Sequence, residues 1–152
     1  MKKSSYLIYF IIVVFIASCS GSKNDSAEEQ SVEEEVNIIG REVDYSTQST
    51  DMKGYIAYES STKEKRPGII VVHEWWGHNE YTRDRADMLA ELGYVALAVD
   101  MYGDGKQAAH PDDAGKFSGM VMSNLDEAKA RFDAALETLK QNPYVYADQI
   151  GA

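Results

Sequence analysis

The stretch Ile69-Ile70-Val71-Val72-His73-Glu74-Trp75-Trp76-Gly77-His78 decides how the rest of the chain is read. Four β-branched residues in succession suit a strand covered on both faces, and the change to polar and aromatic side chains after Val72 marks its carboxyl end. The charged turn Lys63-Glu64-Lys65-Arg66-Pro67-Gly68 leads into it. On the other side, Asn79 is placed to cap a helix running through Met88, Leu89 and Leu92 at helical spacing, and Gly93 stands where that helix should stop. A second buried-type strand, Tyr94-Val95-Ala96-Leu97-Ala98-Val99, then runs into Asp100-Met101-Tyr102-Gly103. Strand, helix and strand with short connections form a βαβ unit, which makes the strands parallel and the crossover right-handed.

The pattern extends in both directions. Residues 42–45 and 53–59 carry β-formers separated by a polar stretch, and read as two antiparallel strands. A short helix is expected after Pro111, and a longer one from Asn124, where Asn124 and Glu127 hold capping-box positions. Leu125, Ala128, Phe132, Ala135, Leu136 and Leu139 recur at steps of three and four, and Asn142-Pro143 ends the run. Ala147-Asp148-Gln149-Ile150-Gly151-Ala152 reads as the entry to a third parallel strand. The fold class is therefore α/β, with antiparallel strands leading into a parallel βαβ sheet, and the folded domain is expected over residues 41–152.

The first forty residues read differently. Lys2 and Lys3 precede Tyr6-Leu7-Ile8-Tyr9-Phe10-Ile11-Ile12-Val13-Val14-Phe15-Ile16-Ala17, twelve residues where a membrane-spanning helix needs roughly 20. A basic start and a short apolar run are the layout of a secretory signal, expected over residues 1–18. Ile16-Ala17-Ser18-Cys19 resembles the lipobox of bacterial lipoproteins, which implies that Cys19 takes diacylglycerol and becomes the new N-terminus. Cys19 is the only cysteine of the 152 residues, so an internal disulfide is excluded. The other reading is a plain signal anchor in which Cys19 is incidental. Two or more acyl chains would hold the protein stably on a membrane, since one chain binds only marginally. The expected location is the bacterial cell envelope, facing the periplasm or the exterior.

Residues 19–40, rich in Ser, Gly, Asn, Gln and acids, lack the large apolar side chains that could build a core, and read as a flexible, solubilising tether. A coil of that length spans about 25 Å. The chain carries 15 basic and 25 acidic residues, a formal charge of −10, and loss of Lys2 and Lys3 with the signal takes it to −12. Such a charge disfavours nucleic acid, whose phosphates attract Lys and Arg.

The segment after the first parallel strand is where chemistry is expected, because open α/β sheets bind ligands at the carboxyl ends of their strands. His73-Glu74 followed by His78 invites a zinc reading. Metalloprotease sites place two histidines four apart on one helix face. Here the step is five, the fourth position is Gly77, and a strand precedes. At about 100° per residue, five steps would leave the two side chains roughly 140° apart even on a helix. Zinc is rejected on that spacing. His73, with apolar neighbours, reads as a satisfied histidine near the core.

This segment, followed by the Gly93-Tyr94 strand and Asp100-Met101-Tyr102, resembles the dienelactone hydrolase family of the α/β-hydrolase superfamily, over about residues 38–152. The resemblance implies an ester or lactone hydrolase needing no cofactor. It aligns Glu74 with the glutamate that controls protonation of the nucleophile, and the backbone N–H of Trp75 with an oxyanion donor. Both roles are chemically sound: a carboxylate can exchange a thiol's proton, and an amide N–H aimed at a developing alkoxide contributes about 3 to 4 kcal/mol. Glu74 has a plainer reading as a strand-end acid paired with Arg83 or Arg85. Trp75 and Trp76 either line an acyl pocket or pack the following helix, and Asp100 and Tyr102 lie on the same rim or serve loop hydrogen bonding. A hydrolase of this fold also needs a Gly-x-Cys-x-Gly or Gly-x-Ser-x-Gly turn, then an acid and a histidine. None of these is in the chain, and His110 precedes the expected nucleophile. The expectation is an N-terminal half, inactive by itself, of an esterase completed beyond Ala152. The alternatives are a non-catalytic lipoprotein using this fold as a binding or scaffolding module, and a small acidic domain complete as it stands.

Overall fold

Val95, Leu97 and Val99 face one side of a sheet and Ala96 and Ala98 the other, and all five are buried, so this strand is the centre of the molecule. In the computed structural model, which describes residues 36–152, the elements run β1 (Ile38–Ser46), β2 (Asp51–Glu59), β3 (Arg66–Val72), α1 (Glu80–Glu91), β4 (Val95–Val99), α2 (Pro111–Ser123), α3 (Leu125–Lys140) and β5 (Val145–Gly151). The strands form one sheet in the order β1-β2-β4-β3-β5. β1, β2 and β4 pair antiparallel, while β3 pairs in parallel with β4 and β5.

Residue size sorts the two faces. On one, Ile56, Ile70, Val95, Leu97 and Val99 meet Ala135 and Leu139 of α3. On the other, Ala57, Ala96 and Ala98 meet Ala86 and Ala90 of α1. Large aliphatic side chains fill the space under α3, whereas alanine on both partners lets α1 approach closely. Each fully buried branched residue contributes about 1.5–3 kcal/mol. Because β3 lies between β4 and β5, the chain leaves it for β4 on one side and returns past it to β5 on the other. That reversal opens a crevice at the carboxyl end of β3.

The expected α/β class, the antiparallel pair, the βαβ unit and the third parallel strand are all present, with shifted boundaries. β1 begins at Ile38, so residues 38–40, expected outside the folded part, pair into the sheet. Ladder pairing from Ile38↔Glu59 to Ser46↔Asp51 holds that edge strand through backbone bonds, which residue type does not report. β5 starts at Val145, two residues early, because Pro143 ends α3 and the Arg66 N–H already bonds the Tyr144 carbonyl. The helix expected to be short after Pro111 is present and spans 13 residues, opened by the His110 ring accepting from the Asp112 N–H.

The capping box at Asn124 is half formed. The Asn124 side chain accepts from the Glu127 N–H, but the Glu127 carboxylate turns away to Thr47, Ser49, Thr50 and Arg131. Those bonds, first that of Ser49 and then that of Arg131, hold its pKa down to about 2. Glu127 thus pins α3 to the β1–β2 turn, a tertiary task that outcompetes the local cap.

Candidate active site

The loop from His73 to Asn79 joins β3 to α1 and is shaped by Gly77. Its φ is +90°, and a Cβ there would lie 2.4 Å from the Lys106 carbonyl oxygen, so the position admits glycine alone. Close approach lets the loop after β4 brace the loop after β3: the Ala108 N–H donates to the Trp76 carbonyl at 2.9 Å and Gln107 Nε2 to the His78 carbonyl at 2.9 Å. Asn79 caps α1 as expected, its Oδ1 accepting from the Thr82 N–H.

His73 bonds the backbone with both ring nitrogens. Nδ1 lies 2.6 Å from the Glu74 carbonyl oxygen, and Nε2 lies 3.2 Å from the Met101 amide nitrogen. A carbonyl needs a donor and an amide an acceptor, so the ring is neutral with its proton on Nδ1. Burial lowers its pKa, consistent with that form. The ring packs edge-on against Tyr102 at 4.6 Å, and the Tyr102 hydroxyl donates to the Trp75 carbonyl at 2.9 Å. His73 is therefore the satisfied histidine its apolar neighbours imply.

Glu74 and Trp75, singled out for chemistry, share one cleft at the carboxyl end of β3. It has a volume of about 260 Å³, and its wall is mainly apolar, with Val72, Trp75, Met101, Val121 and Met122 lining it beside Glu74. Glu74 is exposed, and no hydrogen bond or ion pair reaches its carboxylate among the described residues. The two arginines proposed as its partners are engaged elsewhere: Arg83 pairs with Glu42 at 2.8 Å, and Arg85 lies over the Tyr81 ring and bonds its hydroxyl. The Trp75 N–H likewise has no acceptor among the described residues. Trp75 is 46% exposed, with Trp76 edge-on behind it at 5.1 Å. Trp75 thus lines the pocket.

Asp100 and Tyr102 divide the two roles open to them. The Asp100 carboxylate is fully buried and accepts from the N–H groups of Lys53, Tyr102, Gly103 and Gly105 at 2.7–3.1 Å, so it is a loop anchor. Tyr102 reaches the cleft. A larger cleft of about 420 Å³ beside α3 includes Thr50, Glu127 and Arg131, but these groups satisfy one another and serve as a staple. Among the described residues no group of His, Cys, Asp or Glu is placed to hold a metal. Cys19 lies outside the described residues.

Two contributors escaped the sequence reading. The Tyr102 hydroxyl bond joins residues 27 apart and depends on tertiary placement. Val121 and Met122, which close the cleft from α2, were legible in the apolar spacing of Phe117, Met120 and Val121, had that helix been given its full length.

The dienelactone hydrolase family model matches residues 52–152. The chain is 36% identical over 117 residues to Protein usf of Aquifex pyrophilus, covering 74% of this chain and 49% of that protein. It is 35% identical over 117 residues to a protein of Aquifex aeolicus (strain VF5) provisionally named carboxymethylenebutenolidase, with the same coverages of 74% and 49%. Among solved structures, one described as m3DLH superposes with a TM-score of 0.71 at 32% identity, over 75% of this chain and 49% of that one. The chain spans about half the length of these relatives.

Proposed function

Because this chain belongs to the dienelactone hydrolase family, we propose that the full-length protein hydrolyses small carboxylic esters or lactones, and that residues 36–152 supply one wall of its active site. What carries this reading is that Glu74 and Trp75, whose carboxylate and backbone N–H have no partner among the described residues, line one apolar cleft at the carboxyl end of β3.

In the proposed reaction a Cys or Ser beyond Ala152 attacks the ester carbonyl. Glu74 holds or exchanges the proton of that nucleophile, which reacts as its anion. Negative charge collects on the carbonyl oxygen of the tetrahedral intermediate, where the Trp75 N–H donates to it. Expulsion of the alcohol leaves an acyl-enzyme, and water releases the acid. No Lys or Arg lines the described wall of the cleft, and Trp75, Val121 and Met122 offer it apolar surface, which favours an uncharged acyl group.

Glu74→Gln in the full-length protein preserves size while removing the exchangeable proton. General acid–base groups contribute typically 10²–10⁴-fold, so turnover of p-nitrophenyl acetate should fall about a hundredfold or more with little change in melting temperature. Unaltered kinetics with an intact fold would return Glu74 to the role of a strand-end acid. Absence of any turnover by the folded wild type would favour a non-catalytic binding module.

A further inference from the structure

We infer that His73 and Tyr102 are positioning residues that fix the two peptide planes on either side of Trp75, and so hold its N–H in the donating orientation. This deepens the reading of Trp75 as an oxyanion donor and rests on it.

The Glu74 carbonyl belongs to the same peptide plane as the Trp75 N–H, and in a trans peptide the two point in opposite directions. Two donors hold that carbonyl: His73 Nδ1 at 2.6 Å and the Gly77 N–H at 3.1 Å. With its oxygen drawn toward His73 and the turn, the plane sends the Trp75 N–H the other way, out of reach of the loop's own acceptors. The following plane is held from its own oxygen by the Tyr102 hydroxyl at 2.9 Å.

Both struts spring from the same place. His73 Nε2 accepts the Met101 N–H at 3.2 Å, Tyr102 is the next residue, and the buried Asp100 carboxylate fixes the start of that loop through the Tyr102 and Gly103 amides. The end of β4 therefore sets the orientation of the loop after β3. Residue 73 must offer one donor and one acceptor, as the neutral imidazole does. A primary amide also offers both, from the two atoms on its carbonyl carbon, whereas an aliphatic side chain offers neither.

The test uses the full-length protein with p-nitrophenyl acetate and with a trifluoromethyl ketone, which forms a tetrahedral adduct with either a thiol or a hydroxyl nucleophile. Misplacing a reacting group by about an ångström costs about a hundredfold. His73→Leu should therefore lower kcat by roughly ten- to a hundredfold, leave KM within about threefold, and weaken the ketone by a factor similar to the loss in kcat/KM. His73→Gln should recover most of both losses. Should His73→Leu fold poorly, Tyr102→Phe, which removes only a hydroxyl, must give the same kcat-selective loss. Wild-type kcat in a folded His73→Leu, a loss confined to KM, or a folded His73→Gln no better than His73→Leu would overturn the inference. If the ketone binds the wild type and Glu74→Gln is impaired, such a result removes His73 alone. If the wild type neither turns over ester nor binds the ketone, the Trp75 reading falls and takes this one with it.

Discussion

His78 is fully buried, and neither ring nitrogen has a hydrogen-bond partner among the described residues. Leaving a buried polar group unpaired costs about 1–3 kcal/mol, and charging it costs more. Burial first, and the nearby Arg83 second, lower its pKa from 6.5 to about 4. The unfolded chain therefore binds more protons than the folded one between these values, so stability falls as pH drops from about 6.5 toward about 4 and this contribution is constant below. Lowering the pH through that window should shift the denaturant midpoints in favour of His78→Leu, whose side chain binds no proton; a difference independent of pH would contradict the assignment. The same two histidines show what sequence can reveal at this scale. Their five-residue step excluded a shared metal face, and His73 is satisfied as its neighbours implied. What each ring finds at a distance depends on the fold: His73 Nε2 meets the Met101 N–H 28 residues on, while the His78 ring is buried without a partner among the described residues. Glu74 was legible from its place at a strand end, whereas its lack of an arginine partner was not: Arg83 is held by Glu42 of an edge strand 41 residues away.

Secondary-structure elements were most legible where local chemistry and tertiary demand agree. Asn79 caps α1, Gly93 follows it at φ +89°, and the three-four spacing of α3 buries Ala135 and Leu139. They were least legible where pairing or a distant partner decides, as in β1, whose ladder starts at Ile38, and at Glu127, drawn from its cap to the β1–β2 turn. The loop after β3 is a third case. Its Gly77 was visible, but the contact that demands it, Lys106 from the loop after β4, was not. Gly77→Ala must strain the left-handed backbone, by about 1–2 kcal/mol, and also displace that neighbouring loop. A fall of at least about 1 kcal/mol in unfolding free energy, together with reduced ester turnover, is expected. A variant as stable and active as wild type would show that the two loops are not braced there.

At the scale of the whole molecule, the exposed apolar residues Val72, Trp75 and Met122 share the candidate cleft. A sheet flanked by α1 on one face and α3 on the other is only part of what the family builds, since the relatives are about twice as long. The substrate is illegible in the sequence for that physical reason: one wall of a pocket does not define its shape. Attachment to the cell envelope is a proposal that rests on Ile16-Ala17-Ser18-Cys19. Cys19→Ser should leave the protein unprocessed and free of lipid when cells are labelled with palmitate, and a normal lipid-modified product from those cells would remove the anchor.

We propose that this chain supplies the oxyanion donor and the proton-handling carboxylate to a nucleophile carried beyond Ala152. That role is tested most directly by quenching the full-length protein during turnover of p-nitrophenyl acetate and mapping the acyl group by peptide mass spectrometry. The adduct should fall on a single Cys or Ser in a Gly-x-Cys-x-Gly or Gly-x-Ser-x-Gly turn, within about ten residues after Ala152, since β5 already runs 7 residues to Gly151 and such a turn follows its strand directly. An acyl group on a residue within 1–152, or no adduct and no turnover from the folded protein, would contradict the account.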